Sequence, residues 1–542
     1  MNQDKTIHSL SSRRFGIEHQ NDGDVVGNFQ RYVLILTAAA FALLQIGIAG
    51  YSVGVGNQTI QIPFVQRFAN GELYAKDVTL NNTIDQYPSY FYRLLGFFCR
   101  LVDYKIVYAF FHLLSGFLLG LAILQASLVL WSSLSPGLIC LTVLLAGHHR
   151  ALAGAELYVA GFTHTWFSFA VAVWSFVFLW QGRFTWSLIT VGLLFNIHAL
   201  MAAYTAVFLL AMYVSSWQFK DWRHFTVSGL PREMKQTISR GLLAVVCALP
   251  TLVFIVTHTA EFSARWFALT YIRSAHHSFP LSLWQSGDAS IPRFASLIGI
   301  GLLCIPLLRE HLHRRMMIAV IMATIALFAL GLATDYSIIV RAQLWRASAF
   351  PLLLAILVIA HGLWRCWQPQ NHTSGFRLHG LALALTVFVC AVPALINNIY
   401  LCFVLLTISA CLLAIISWRL ALLISMCHVV CLSAIFFIGF PVLQAPGNLG
   451  LTNIGVFHLV LGHAWQIVLV ILCLGVMGLS YFVWQGRNQR LCLRFGWALL
   501  LLTCGLVLWR MLDAEDNDWV DIQRWARAHA PQDAVFLTPV HR

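Results

Sequence analysis

Apolar blocks of about 20 residues recur along most of this chain, and they constrain its fold more than any other feature. An α-helix of that length crosses the hydrocarbon core of a lipid bilayer. Backbone amides inside hydrocarbon find no water to bond, so the blocks are predicted to be helices. A membrane β-barrel would instead show segments of about 10 residues with alternating hydrophobicity, and the sequence contains none.

The composition excludes an ordinary soluble domain. The chain is 59% hydrophobic and 10% charged, whereas a soluble domain carries about 25% charged residues. Its net charge of +13 would suggest nucleic acid in a soluble protein. Here Lys and Arg lie mainly in short loops between apolar blocks, so membrane lipids are the predicted partners and no nucleic acid is expected.

The predicted fold is all-α, a polytopic transmembrane bundle with about 15 spans. Residues 1–31 form a cytoplasmic tail, and residues 32–512 form the transmembrane domain with a long first extracytoplasmic loop over 50–105. In the extracytoplasmic tail over 513–542, the pattern predicts one helix and one strand, a short α/β piece. The spans are predicted to begin at Tyr32, Ile106, Gly137, Phe162, Phe184, Ala199, Gly241, Phe294, Met316, Ala347, Leu381, Leu401, Ala421, Val456 and Phe495.

The stretch over 184–214 decides the orientation, because it is long for one span and short for two. Asn196 and His198 lie at its middle, as a turn between two short helices would require. Two helices place the excess of Lys and Arg on the side of the N-terminus, whereas one helix moves the excess to the other side. We therefore expect two helices and a cytoplasmic N-terminus, in a bacterial inner membrane with the C-terminus outside.

The first loop carries two candidate catalytic carboxylates, Asp77 and Asp85. Residues 62–68 and 91–101 have the pattern of amphipathic helices on a membrane surface, which would bring both acids near the lipid head groups. A carboxylate there could act as general base toward an acceptor hydroxyl or amine, or hold a divalent cation. The alternative is that both acids solvate the loop or cap helices.

Glu156 is a candidate substrate-binding residue, because an acid in an apolar neighbourhood usually has a partner or a function. Arg150 is close enough in sequence to be that partner. The adjacent His148 and His149 would point about 100° apart on a helix, so a shared metal site is not expected there.

Basic and histidine side chains cluster in two further segments on the predicted outer side, against the usual charge bias of membrane proteins. The first cluster contains Arg265, Arg273, His276 and His277, and the second contains Arg341 and Arg346. Arginine binds phosphate through two parallel N–H groups, so a lipid phosphate or diphosphate head group is the expected ligand. The alternative is non-specific pairing with membrane phosphates.

Three local pieces accompany this layout: Gly56-Asn57-Gln58, Leu73-Tyr74-Ala75-Lys76-Asp77, and the tail from Trp525 to Pro539. Together they resemble the GT-C superfamily of polytopic glycosyltransferases. The resemblance implies a polyprenyl-phosphate-linked sugar donor and a catalytic acid in the first loop, with Asp77 as first choice and Asp85 as second. It also implies that the arginines of the two clusters bind phosphate. The first loop departs from the family in lacking a tandem acidic pair, and Asn57 stands where an acid would suit the site.

Two other functions are compatible with a chain of this kind. A lipid or polysaccharide transporter would bury several ionisable groups near the bilayer midplane, and the predicted central spans carry few of them. A non-catalytic membrane subunit of a polysaccharide-assembly complex would explain the missing acidic pair. The sequence leaves the sugar, the acceptor, the need for a metal and the oligomeric state open.

Overall fold

A computed structural model describes residues 24–49, 51–54, 57–84, 87–146, 151–157, 159, 161–216, 232–258, 267–268, 270–271, 275, 277–280, 282, 290–308 and 310–367. Within these ranges the regular elements are helices, and no strand occurs. The predicted helical class is therefore confirmed for this part of the chain. The spans predicted from Leu381 onward and the predicted α/β tail lie outside the described residues.

The helices follow one another through short connections and one long loop. They are α1 (Asp24–Ala49), α2 (Gln58–Ala69), α3 (Val78–Ile84), α4 (Phe91–Cys99), α5 (Tyr104–Trp131), α6 (Ser135–Ala146), α7 (His164–Trp180), α8 (Phe184–Ile197), α9 (Ala199–Ser216), α10 (Arg232–Thr257), α11 (Ser290–Cys304), α12 (His311–Leu330), α13 (Ser337–Ala342) and α14 (Ala349–Trp367), with 3-10 turns at Ile305–Leu307 and Leu344–Ser348.

Five helical stretches are long and apolar enough to cross a membrane, and five further apolar helices are shorter. The long ones are Tyr104–Trp131, Ala199–Ser216, Ser239–Thr257, His311–Leu330 and Ser337–Arg365. The ten span starts predicted within the described residues each lie inside an apolar helix or within two residues of one. The part of the chain that the structure describes is thus a helical assembly suited to a membrane.

Two glycines one turn apart bring α5 against α1. A Cβ added at Gly116 would lie 3.2 Å from the Cα of Ala42, and one added at Gly120 would lie 2.9 Å from the ring of Phe41. Small residues at this spacing let two membrane helices approach closely, where dispersion contacts rather than the hydrophobic effect hold them. This packing fixes the helix that enters the first loop against the helix that leaves it.

The stretch over 184–214 forms two helices, as expected. α8 ends at Ile197, His198 is extended with φ −153° and ψ 94°, and α9 begins at the next residue. The Asn196 amide bridges to α10, where its Nδ2 donates to the Cys247 carbonyl at 2.7 Å and its Oδ1 accepts from the Thr251 hydroxyl at 3.0 Å. Pro250 lies inside α10 and has no N–H to give. Asn196 thus supplies polar partners where Pro250 interrupts the backbone hydrogen bonds of α10.

The described part of the first loop contains three helices, and α2 and α4 confirm the helices expected at 62–68 and 91–101. α2 and α4 meet so closely at Gly96 that an added Cβ would lie 2.6 Å from the Phe68 Cβ. Their inner faces form a cluster with Tyr108 of α5 and with Phe162, both fully buried. The loop is therefore anchored on the transmembrane helices, and its position on the membrane surface stays a prediction.

We expect Asn196→Leu to destabilise the protein. It would leave a carbonyl and a hydroxyl of α10 without their partner, at a cost of about 1–3 kcal/mol. The measurement is detergent-solubilised thermal unfolding, with Thr190→Val as control because the Thr190 hydroxyl bonds within its own helix, to Trp186. Equal unfolding temperatures for Asn196→Leu and Thr190→Val would contradict the bridging role.

Candidate functional site

Connecting segments that are far apart in sequence meet at one end of the helix bundle. Hydrogen bonds join Gln58 to Phe162, Ser89 to Ile197, Leu152 to Ser348 and His277 to Ala153. Along the chain, these segments are every second connection between the long helices. Such an alternation is expected when each helix crosses the same layer from one side to the other. The candidate site lies in this convergence.

A pocket of about 670 Å³, counting its open mouth, lies between the ends of α7, α9 and α14. One wall comes from Asn57 at the start of the first loop, and another from the segment that precedes α7. Its polar lining consists of Asn57, Glu156, Thr163, Thr165, His198, Tyr204 and Arg346. Two of the residues predicted from sequence, Glu156 and Arg346, therefore line one cavity.

Arg346 is the charged centre of this site. Its guanidinium interacts electrostatically with Tyr204, Tyr87 and Glu156, and its Nη1 donates to the Gln343 side chain at 2.9 Å. A guanidinium carries five N–H donors in a planar fork, and Gln343 accepts from one of them. The arrangement suits an anion with several oxygens, such as a phosphate, presented from the pocket.

Glu156 follows a strained turn. Ala153 and Gly154 both have positive φ, 56° and 67°, and the turn is closed by a hydrogen bond from the Ala151 N–H to the Ala155 carbonyl at 2.8 Å. A non-glycine residue in the left-handed region is uncommon and marks a backbone held by its surroundings. Glu156 lines the pocket together with Arg346 and acts on it electrostatically, whereas the partner expected from sequence, Arg150, lies outside the described residues.

A buried column of hydrogen bonds connects the first loop to the pocket through His164. Its Nδ1 lies 2.9 Å from the Tyr92 hydroxyl and 3.2 Å from the Gln61 Nε2, and its Nε2 lies 3.3 Å from the Tyr87 hydroxyl. An amide nitrogen only donates, so Nδ1 is the acceptor and the ring proton sits on Nε2. The imidazole N–H then donates to Tyr87.

His198 continues this column into the pocket. Its ring stacks on His164 with centroids 4.6 Å apart and planes 13° apart, and it also lines the cavity. Arg346 acts electrostatically on both rings.

Tyr87 adds a hydroxyl to the column from the first loop, beside the Nε2 of His164. Burial raises the pKa of Tyr87 above its ordinary value, while the hydrogen bond with Tyr92 and the charge of Arg346 act in the opposite direction. The hydroxyl therefore keeps its proton at neutral pH and serves the column as a neutral hydrogen-bonding group.

Asp77 is held at the surface of the first loop. It is exposed, and its Oδ1 accepts from the Leu80 N–H at 2.8 Å, which caps α3. The capping role named above as the alternative is thus present, and a catalytic role for Asp77 stays a prediction. Asp85 lies outside the described residues.

Of the two predicted basic clusters, some members lie in the described residues and others do not. Arg341 is exposed at the end of α13, and the His277 imidazole bonds the Ala153 carbonyl, in the turn that precedes Glu156, at 2.7 Å. The remaining members, Arg265, Arg273 and His276, lie outside the described residues. Sequence reasoning missed Gln61, Tyr87, Tyr92, His164 and Tyr204, although polar aromatic residues near the ends of apolar blocks were a signal that could have drawn attention to them.

The chemistry open to this pocket is that of one carboxylate, one guanidinium and several hydroxyl and amide groups. Among the described residues, no group of three or more His, Cys, Asp and Glu side chains could hold a metal ion. The lining suits a phosphate beside Arg346 and a hydroxyl or amine beside Glu156. No protein-family model, curated protein or solved structure matches the chain.

We expect His164→Phe to loosen the first loop. The substitution keeps a ring for stacking on His198 but removes the bonds to Gln61, Tyr87 and Tyr92, each worth about 1 kcal/mol. Amide hydrogen exchange over residues 57–66 and 87–92 should accelerate. His258→Phe is the control, because that histidine is exposed and bonded within its own helix. Unchanged exchange in His164→Phe would contradict the role of the column.

Proposed function

We propose that the protein is a membrane glycosyltransferase that moves a sugar from a polyprenyl-phosphate-linked donor to an extracytoplasmic acceptor. The observation that carries the proposal is the convergence of Glu156 and Arg346 in one polar pocket at the end of apolar helices. The layout and the first-loop pieces that resemble the GT-C superfamily point in the same direction. We assign the protein to a bacterial inner membrane with its N-terminus in the cytoplasm, on the charge bias of its loops.

Arg346 is the group that would hold the donor phosphate. A half-buried guanidinium in a weakly polar setting binds a phosphate more strongly than an exposed one, because water competes less for its donors. A lipid-linked donor would keep its chain in the hydrocarbon beside the helices while its phosphate enters the pocket. The pocket suits this arrangement of chain and phosphate, because it lies at the end of the bundle, where α7, α9 and α14 meet the connecting segments.

Glu156 would activate the acceptor. The carboxylate takes a proton from the acceptor hydroxyl as the acceptor oxygen forms a bond to the anomeric carbon of the sugar. The bond between that carbon and the phosphate oxygen breaks, and its electron pair leaves with the polyprenyl phosphate. Arg346 stabilises the negative charge that grows on the leaving oxygen, and Glu156 then releases its proton to water.

Among the described residues, the first loop contributes Asn57 and no acid to the pocket lining. The GT-C resemblance leads one to expect the acid from that loop, with Asp77 first and Asp85 second. Asp77 is exposed and engaged as the cap of α3. Glu156 lines the pocket together with Asn57, and it is the one carboxylate among the described lining residues, so it is the better placed acid for the reaction.

We expect Glu156→Gln and Arg346→Ala each to reduce transfer by about 100-fold or more, the size usual for removing a general base or a charge-stabilising donor. The assay reconstitutes the full chain in vesicles with a panel of farnesyl-phosphate hexoses and measures release of farnesyl phosphate. A cell extract supplies the acceptor, so the release can be measured before the acceptor is identified.

The matched control is Asp77→Asn, which removes an acid outside the pocket and should retain most of the activity. Loss of activity in Asp77→Asn with full activity in Glu156→Gln would return the catalytic role to the first loop. Absence of release with every donor, combined with counterflow of a lipid-linked sugar across the vesicle membrane, would overturn the transferase proposal in favour of a transporter.

A further inference from the structure

The helix break that carries Arg346 is strained. α13 ends at Ala342, Gln343 adopts φ 45° and ψ 47°, and a 3-10 turn over Leu344–Ser348 leads into α14. A side chain in this left-handed region costs about 1–2 kcal/mol, and such a conformation persists where the surroundings hold it. The break turns what would be one long apolar helix into two pieces, with Arg346 at the bend.

Tyr204 of α9 holds the break from the pocket side. Its hydroxyl lies within hydrogen-bond distance of the Ala342 carbonyl and at 3.0 Å from the Gln343 carbonyl. In a regular helix both carbonyls would accept from N–H groups one turn further on. Past the break the Gln343 carbonyl accepts from the Arg346 N–H at 2.9 Å, in a tighter turn, and the Tyr204 hydroxyl reaches it as well. The buried phenol thus bridges the last carbonyl of α13 and the carbonyl of the left-handed residue.

Further contacts fix the direction of the bend. The Trp345 ring stacks on Phe328 with centroids 5.0 Å apart, and its Nε1 donates to the Phe328 carbonyl at 3.1 Å. The Ser348 hydroxyl accepts from the Leu152 N–H at 2.8 Å, which joins the bend to the segment that carries Glu156. The two charged residues of the pocket are therefore held by one continuous set of contacts.

We propose that Tyr204 and Gln343 are positioning residues for Arg346. Tyr204 clamps the left-handed break, and the Gln343 side chain tethers the guanidinium, so that the remaining donors of Arg346 face a phosphate in the pocket. The phosphate ligand rests on the proposed function, whereas the clamp rests on the hydrogen bonds alone. A purely structural role for Tyr204 would alter stability without altering the preference for a phosphate.

The test measures binding of two probes to the full chain in detergent, farnesyl phosphate and its neutral counterpart farnesol. Tyr204→Phe should weaken farnesyl phosphate binding about tenfold, the effect expected when a charge-assisted contact loses its geometry, with farnesol binding unchanged. Tyr336→Phe is the matched control, because that side chain lies in the same segment and is 66% exposed.

Gln343→Gly removes the side-chain hydrogen bond to Arg346 and at the same time relieves the backbone strain at position 343. It therefore tests the hydrogen bond separately from the strain. Glycine adopts positive φ without a steric penalty, so the variant should unfold at the same temperature as the parent or higher, yet bind farnesyl phosphate about tenfold more weakly. This outcome would not arise from a damaged fold. Parental affinity for farnesyl phosphate in both Tyr204→Phe and Gln343→Gly would overturn the positioning role.

Failure of the proposed function has a different signature. If the parent and Arg346→Ala both bind farnesyl phosphate no better than farnesol, the pocket is not a phosphate site. The clamp is then decided by hydrogen exchange over residues 341–348. Faster exchange in Tyr204→Phe than in Tyr336→Phe supports the clamp, and equal exchange overturns it.

Discussion

A guanidinium held among apolar helices needs compensation, and the arrangement around Arg346 supplies it. An arginine away from bulk water is costly unless other groups share its charge and fill its donors. The Gln343 side chain accepts from one of its N–H groups and the Glu156 carboxylate acts on its charge, while the remaining donors are those that we propose for a phosphate. The convergence of the connecting segments at one end of the bundle therefore has an electrostatic cause as well as a packing cause.

Interruptions of regular backbone surround the same point. The helices break at His198 and at Gln343, and a left-handed turn at Ala153 and Gly154 precedes Glu156. Non-helical backbone beside a membrane is tolerated where it lines a polar cavity or is bonded within the protein. Each interruption here has such partners, so the breaks that admit polar groups into the bundle also create the pocket. The histidine column then ties the first loop to this site through hydrogen bonds and the stacked rings.

The sequence predicted those features that follow from the bilayer alone. Apolar blocks must be helical in hydrocarbon, so the helices of the described residues lie where the blocks place them. Asn196 and His198 marked the break in the stretch over 184–214 because polar groups inside an apolar run need a local reason. Glu156 was identified on the same ground, and Arg346 because basic residues on the predicted outer side oppose the usual charge bias.

Local sequence patterns could not predict the contacts between segments that are distant in the chain. The proximity of residues 156 and 346 depends on how α7, α9 and α14 pack, which no local pattern encodes. Tyr204 and His164 lie in apolar blocks, where a tyrosine or histidine resembles an ordinary interfacial residue. Their roles depend on hydrogen bonds with carbonyls and hydroxyls of other segments, which the structure shows. Asp77 illustrates the reverse, since its capping bond to Leu80 is local and was foreseeable as an alternative.

The central claim, that Arg346 binds the phosphate of a lipid while Glu156 lies beside it, is tested most directly by electron cryomicroscopy of the full chain in nanodiscs with farnesyl phosphate. The account predicts phosphate density within about 3.2 Å of the Arg346 nitrogens, with the Glu156 carboxylate lining the same cavity and the prenyl chain directed toward the lipid. Phosphate density elsewhere, with the pocket closed by direct contact of Glu156 and Arg346, would contradict it.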